Sequence, residues 1–156
     1  MEKKDIYKLA LIGLILFHVV VNILWLSIDH TPPAWDHAGH LRSSLLAGRW
    51  LAGIEKIGFP KLINKFGAYP PLIYFVTGIW STIFNYQIDF MSFVNTIFFG
   101  LGIIGIYKLS LEFFEEKFAF FAAAIFSFTP VIYDISRGLL LDLPLTVIVV
   151  WTFFLV

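Results

Sequence analysis

An unbroken apolar run of about 20 residues, Leu9 to Ile28, constrains this chain more than any other feature. It is the length an α-helix needs to cross a ~30 Å hydrocarbon core. Composition points the same way. Of 156 residues, 59% are hydrophobic and 14% charged, and the mean hydropathy is +0.84, which is more apolar surface than a soluble domain of this size buries. Lipid is therefore the expected solvent. The run follows Met1-Glu2-Lys3-Lys4-Asp5 and ends in Trp25, Ile28 and Asp29 with no small-residue cleavage site, so it reads as an uncleaved anchor and not a secretory signal. Lys3, Lys4 and Lys8 precede it and no comparable basic residues follow. The positive-inside rule then puts the N-terminus in the cytoplasm and residue 29 onward outside.

The expected fold class is all-α, a polytopic transmembrane helical bundle. One module, 1–156, has spans at about 6–28, 90–108, 118–134 and 143–156, and an external loop at 29–89. From Asp29 to about Gly67 the loop carries Pro32-Pro33, three carboxylates and five Lys or Arg, too polar for lipid. Within it, Leu41, Leu45 and Leu46 recur at helical spacing between Asp36 and Trp50, predicting a short amphipathic surface helix that Gly48 or Gly53 would end. The Leu72–Phe84 segment is short for a crossing and reads as interfacial or re-entrant. If it does not cross, Lys108 and Lys117 are cytoplasmic and Ser136 to Asp142 returns outside; if it does, those sides invert. The last apolar segment stops at Val156 without a polar flank, so the expectation is the N-terminal part of a longer protein.

The formal net charge is zero, and no basic patch is interleaved with aromatics, so nothing points to nucleic acid. The absence of cysteine excludes disulfides and thiolate chemistry. Two ionisable clusters remain. Trp35-Asp36-His37-Ala38-Gly39-His40 lies just past a membrane exit, and on a helix Asp36 and His40 share a face. Asp36 could cap the helix, act as a catalytic carboxylate, or join the histidines around a metal. The second cluster is Ser136-Arg137 through Asp142-Leu143-Pro144-Leu145. There Asp142 could cap the next helix while Arg137 snorkels to headgroups, or Arg137 could bind a phosphate. His18 and Asn22, four apart in the first span, are expected to contact a neighbouring helix. Gly100, Gly102 and Gly105 read as close helix packing.

Taken in order, the N-terminal span, Trp35-Asp36 and His40, Tyr69-Pro70-Pro71-Leu72, Ser136-Arg137 and Asp142-Leu143-Pro144-Leu145 give the chain a family likeness. It resembles the N-terminal membrane module of GT-C glycosyltransferases of the protein mannosyltransferase and aminoarabinose transferase type. The resemblance implies a polyprenyl-phosphate sugar donor, an acceptor hydroxyl on a protein, lipid or glycan, and inverting transfer on the external face of the cell membrane. It implies that the Tyr69-Pro70-Pro71-Leu72 helix is juxtamembrane. By the same likeness Asp36 matches the first-loop acid, the general base, and Asp142 the acid of the next external loop. His37, His40, Tyr69 and Arg137 are the candidate substrate-binding residues, with Arg42, Arg49, Lys56, Lys61 and Lys65 as looser phosphate candidates. Neither a metal nor another cofactor is expected. Two positions depart from the pattern: His37 stands where many relatives have Glu, and Asp89-Phe90-Met91 stands where an arginine is common. The alternative from another class is a non-enzymatic membrane subunit or small transporter, with the Asp/His cluster binding a cation or a partner.

Overall fold

The computed structural model describes residues 3–156, with side chains from Ile6 onward. Lys3 and Lys4, on which the orientation of the N-terminus rests, have side chains outside the described residues. The described chain is all helix and turn, with no strand: α1 (Lys3–Ile28), α2 (Trp35–Leu51), α3 (Phe59–Lys65), α4 (Leu72–Ile83), α5 (Ile88–Leu111), α6 (Glu116–Phe128), α7 (Pro130–Ile135) and α8 (Asp142–Leu155). This is the all-α membrane bundle expected from the sequence. Two stretches, Ile6–Ile28 and Ile88–Leu111, are long and apolar enough to cross a membrane. α4 and α8 are apolar but shorter, and 12 residues of α4 reach only about 18 Å.

Burial in α1 is inverted relative to a soluble helix. Leu9, Ile12, Leu16, Phe17, Val20, Ile23 and Leu24 are exposed, whereas the polar His18 and Asn22 are buried with Leu11 on one face. A helix with an apolar outer surface and its polar groups turned inward needs an apolar medium against that surface, and a bilayer supplies one.

α5 is the central post. Asn22 of α1 donates to Thr96 and Ile15 faces Gly100, so α1 runs antiparallel to α5. α8 runs parallel to it: a Cβ on Gly102 would meet Val147 at 3.1 Å, one on Gly105 would meet Val150 at 2.9 Å, and the Lys108 ammonium lies over Trp151 and Phe154. α6 lies antiparallel to α5, with Phe126 against Phe99 near one end and Tyr7 of α1 beside Phe120. Consequently the end of α1 and the beginnings of α5 and α8 gather at one end of the bundle.

Over that end lie the loop helices. α2 and α4 pack backbone to backbone at Gly48 and Gly78, where a Cβ on Gly78 would fall 2.7 Å from the Gly48 nitrogen. Gly48 is thus buried inside α2 and does not end it; the chain turns at Gly53, with φ +71°. Leu62 and Phe66 of the α3 region bury against Ala47 and Tyr74, anchoring the loop to this pair.

The 118–134 segment, expected as one span, is divided. α6 stops at Phe128, Thr129 is extended with ψ 121°, and Pro130 opens α7. Proline lacks the N–H that would continue the ladder and disfavours helical geometry in the residue before it. The Thr129 hydroxyl donates to the Ile125 carbonyl at 2.8 Å, closing the broken turn.

Candidate active site

The chain enters α2 through a short polar turn. The Asp29 carboxylate accepts from the Thr31 N–H at 3.0 Å, and hydrogen bonding first from the Thr31 side chain and then from its N–H lowers the Asp29 pKa. Pro32-Pro33 then stiffens the approach. Trp35 takes left-handed backbone, φ +51°, and the residue is 94% exposed. Asp36 follows in the first turn, but the N-cap position is Ala34 and no side chain caps the helix. Asp142 is likewise the first residue of α8, after an uncapped Leu141. Neither carboxylate is spent as a cap. Both sit at the positive end of a helix dipole, where negative charge is favoured.

These two acids line one cavity of about 300 Å³, the lower end of the size range of small-ligand sites. α2 contributes Asp36 and His40; the start of α4 contributes Leu72 and Ile73, with Tyr69 and Pro70 leading into it; the turn into α8 contributes Leu140, Leu141 and Asp142; and α8 adds Leu145 and Ile148. The wall is mostly apolar, with a few convergent polar groups.

His40 is the buried polar member, 5% exposed. Its Nδ1 lies 2.9 Å from the Tyr74 hydroxyl oxygen, and its ring meets Tyr69 edge-on at 4.9 Å. Burial lowers the His40 pKa, and the nearby Asp36 and Asp142 charges pull it partly back. Burial raises that of Tyr74. Neutral partners make this a hydrogen bond without net charge, rigid and well suited to shaping a wall.

The other candidates lie elsewhere. His37 is half-buried and turns from the cavity toward α5, its Nε2 3.2 Å from Ser92 Oγ. Burial, then the neighbouring His40, lowers its pKa. The Arg137 guanidinium rests between aromatic rings, 3.8 Å from the Tyr133 centroid and 4.6 Å from that of Trp25; its Nε has no hydrogen-bond partner. Cation–π contact with two rings accounts for this placement. Arg42, Arg49, Lys56, Lys61 and Lys65 are exposed. Among the described residues, no Lys or Arg lines the cavity, and no group of three or more His, Asp or Glu side chains is arranged to hold a metal ion.

Sequence reasoning missed the residues that hold the Asp142 turn. Asn95 Nδ2 donates to the carbonyls of Gly138 at 2.6 Å, Leu140 at 2.8 Å and Ile135 at 3.1 Å. Asn22 makes the interhelical contacts expected of it, donating to Thr96 Oγ1 and to Ser136 Oγ at 2.9 Å, and Thr96 Oγ1 donates to the Ser136 carbonyl. The available signal was Ser92, Asn95 and Thr96 at i, i+3 and i+4, one polar stripe on an otherwise apolar helix. His18 is buried among Phe17, Phe99, Phe128 and Tyr133.

Residues 68–156 match the family model described as dolichyl-phosphate-mannose-protein mannosyltransferase. The matched stretch includes Tyr69, the α4 start and Asp142, whereas Asp36, His37 and His40 precede it. Neither a curated protein nor a solved structure matches the chain.

Proposed function

The chain belongs to the dolichyl-phosphate-mannose-protein mannosyltransferase family, a family of GT-C membrane glycosyltransferases, and on that premise we propose that it moves a sugar from a polyprenyl-phosphate donor to an acceptor hydroxyl. Transfer takes place on the extracytoplasmic face of the cell membrane, with Asp36 as general base and with inversion at the sugar carbon. The protein is multi-pass, with its N-terminus in the cytoplasm and α4 lying along the membrane surface. The observation that carries this proposal is that Asp36 and Asp142, far apart in sequence, open on one cavity. Supporting the topology, the end of α1 and the starts of α5 and α8 gather at a single end of the bundle.

The chemistry needs one strong base. The acceptor oxygen attacks the anomeric carbon on the face opposite the departing phosphate, forming the new C–O bond. The bond from that carbon to the phosphate oxygen breaks, its electron pair leaving on the lipid phosphate. Asp36 takes the acceptor's proton. Glycosidases need two carboxyl groups because an alkoxide must be protonated as it leaves; a phosphate is already a stable anion. Asp142 accepts hydrogen bonds from hydroxyls of the sugar or acceptor, His40 and Tyr69 shape the polar wall, and Leu72, Leu145 and Ile148 suit the isoprenoid end. The cation that balances the leaving phosphate comes from outside the cavity lining, with Arg137 and the loop cations as the candidates in this chain.

Asp36→Asn keeps the shape and removes the base. Membranes carrying this variant should insert the protein normally and lose transfer from a polyprenyl-phosphate sugar by about 100-fold or more. Near-normal transfer would overturn the assignment of the base.

A further inference from the structure

Two helices arriving from different parts of the chain present Asp36 and Asp142 to one cavity, and one side chain packs between α2 and the turn that leads into α8. His37 follows Asp36 on α2 but turns its ring onto the backbone of the 135–141 turn. A Cβ built on Gly138 would lie 3.3 Å from His37 Cε1, 3.4 Å from Nδ1 and 3.6 Å from Nε2. These near-equal distances mean that the imidazole lies over the glycine, in a space that a side chain would fill. The same ring is tied to α5 through its Nε2, 3.2 Å from Ser92 Oγ. Gly138 in turn is fixed from the same helix, its carbonyl accepting from Asn95 at 2.6 Å, and the Asn95 amide also reaches the Leu140 carbonyl, two residues before Asp142. Ser92 and Asn95 are one helical turn apart and share a face of α5. The imidazole is therefore a spacer clamped between α2 and the turn, with both sides referred to one rigid element.

We propose that His37 is a positioning residue, a wedge that sets the distance between Asp36 and Asp142 by resting on Gly138 and anchoring to Ser92. Its role goes beyond the proposed transferase function while resting on it for the activity consequence. The reacting groups must be held within a fraction of an ångström of productive geometry, and a 1 Å misplacement can cost about 100-fold in rate. A spacer that never touches substrate then acts on kcat and leaves donor KM unchanged.

Two experiments on the whole protein in its membrane test this. First, Asp36→Cys and Asp142→Cys are combined in the cysteine-free chain and joined with a short bifunctional thiol reagent. The cross-link yield reads the separation of the two positions without any enzymatic activity. Adding His37→Ala should lower the yield severalfold, and His37→Gln, which keeps a long polar side chain for Ser92, should restore most of it. An unchanged yield with His37→Ala overturns the wedge. Second, in the chain that retains both acids, His37→Ala should lower kcat about 10- to 100-fold with donor KM unchanged. Gly138→Ala should do the same by pushing the ring away, and the two substitutions combined should be less damaging than their product, because removing the ring frees the space the new methyl needs. A rise in KM at constant kcat, or a strictly multiplicative double variant, would overturn the role. If the parent protein transfers nothing from any lipid-phosphate sugar, the transferase function fails while the cross-link yields still decide the wedge.

Discussion

Gly78→Ala in α4 is expected to destabilise the protein, although alanine is the better helix former. The perturbation has two opposing parts. In a helix interior, Gly to Ala gains about 1 kcal/mol from backbone entropy. Against that, the new Cβ would stand 2.7 Å from the Gly48 nitrogen and 3.2 Å from the Ala47 carbonyl carbon and Cβ. Those atoms are mostly backbone and cannot rotate away, so α2 and α4 must separate, and overpacking of this kind costs about 1–3 kcal/mol. The separation also breaks the contact between buried Tyr74 and His40, a further ~1 kcal/mol. The net expectation is a loss of about 1–3 kcal/mol. Gly39→Ala is the internal control: it lies in α2 with nothing within 4 Å of a built Cβ, so only the propensity gain of up to about 1 kcal/mol remains. Thermal unfolding in detergent, followed by tryptophan fluorescence and far-UV circular dichroism, reads both. If Gly78→Ala raised the midpoint as much as Gly39→Ala does, the close contact of α2 and α4 would be refuted.

Three further outcomes follow from the same geometry. Single cysteines at exposed Arg42 and Asp134 should react with a membrane-impermeant thiol reagent in intact cells while one at Lys117 reacts only after permeabilisation; labelling of Asp134 only after permeabilisation would mean that α4 crosses the bilayer. Asn95→Leu should cost about 1–3 kcal/mol in unfolding experiments, because the Leu140 carbonyl loses its amide partner, whereas the Gly138 carbonyl keeps the Leu140 N–H at 3.0 Å; a neutral effect would show that the turn does not depend on α5. Acidification should destabilise the fold: burial lowers the pKa values of His37 and His40 from 6.5, so below about pH 6.5 the unfolded chain binds more protons and stability falls toward the folded values. Above that pH the contribution is flat. His37→Gln with His40→Gln should flatten the acid limb of a stability-versus-pH curve, and an unaltered limb would remove these histidines as its cause.

The fold class was legible because hydropathy acts over whole segments: a run such as Leu9 to Ile28 has one stable solution in lipid, whatever its neighbours do. The end of α2 was not. Gly48 reads locally as a helix stop, yet it lies opposite Gly78, and a glycine's use for close approach depends on a partner helix that sequence alone does not locate. Pro130 shows the converse, a local breaker whose effect on the 118–134 segment needed only the rule for the residue before proline. At the site, the carboxylates could be found because charge beside a membrane is costly and so conspicuous. Arg137 was equally conspicuous, but its stacking on Trp25 and Tyr133 depends on two rings brought together by folding.

Small polar residues buried inside an apolar bundle link the fold to the chemistry. Ser92, Asn95 and Thr96 form one stripe near the start of α5, and each holds a different part: α2 through His37, the turn before Asp142 through its carbonyls, and Ser136 together with Asn22 of α1. In lipid the unfolded chain also finds partners for such groups, so interhelical hydrogen bonds there average only ~0.6 kcal/mol. Their contribution to net stability is therefore modest, and their number is better explained by geometry. Three weak bonds from one rigid face fix the relative placement of elements that hydrophobic contact alone would let slide, since lipid tails compete equally for every apolar surface. A bundle stitched in this way can hold two carboxylates at a set separation at its polar end while its apolar outer faces remain in contact with lipid.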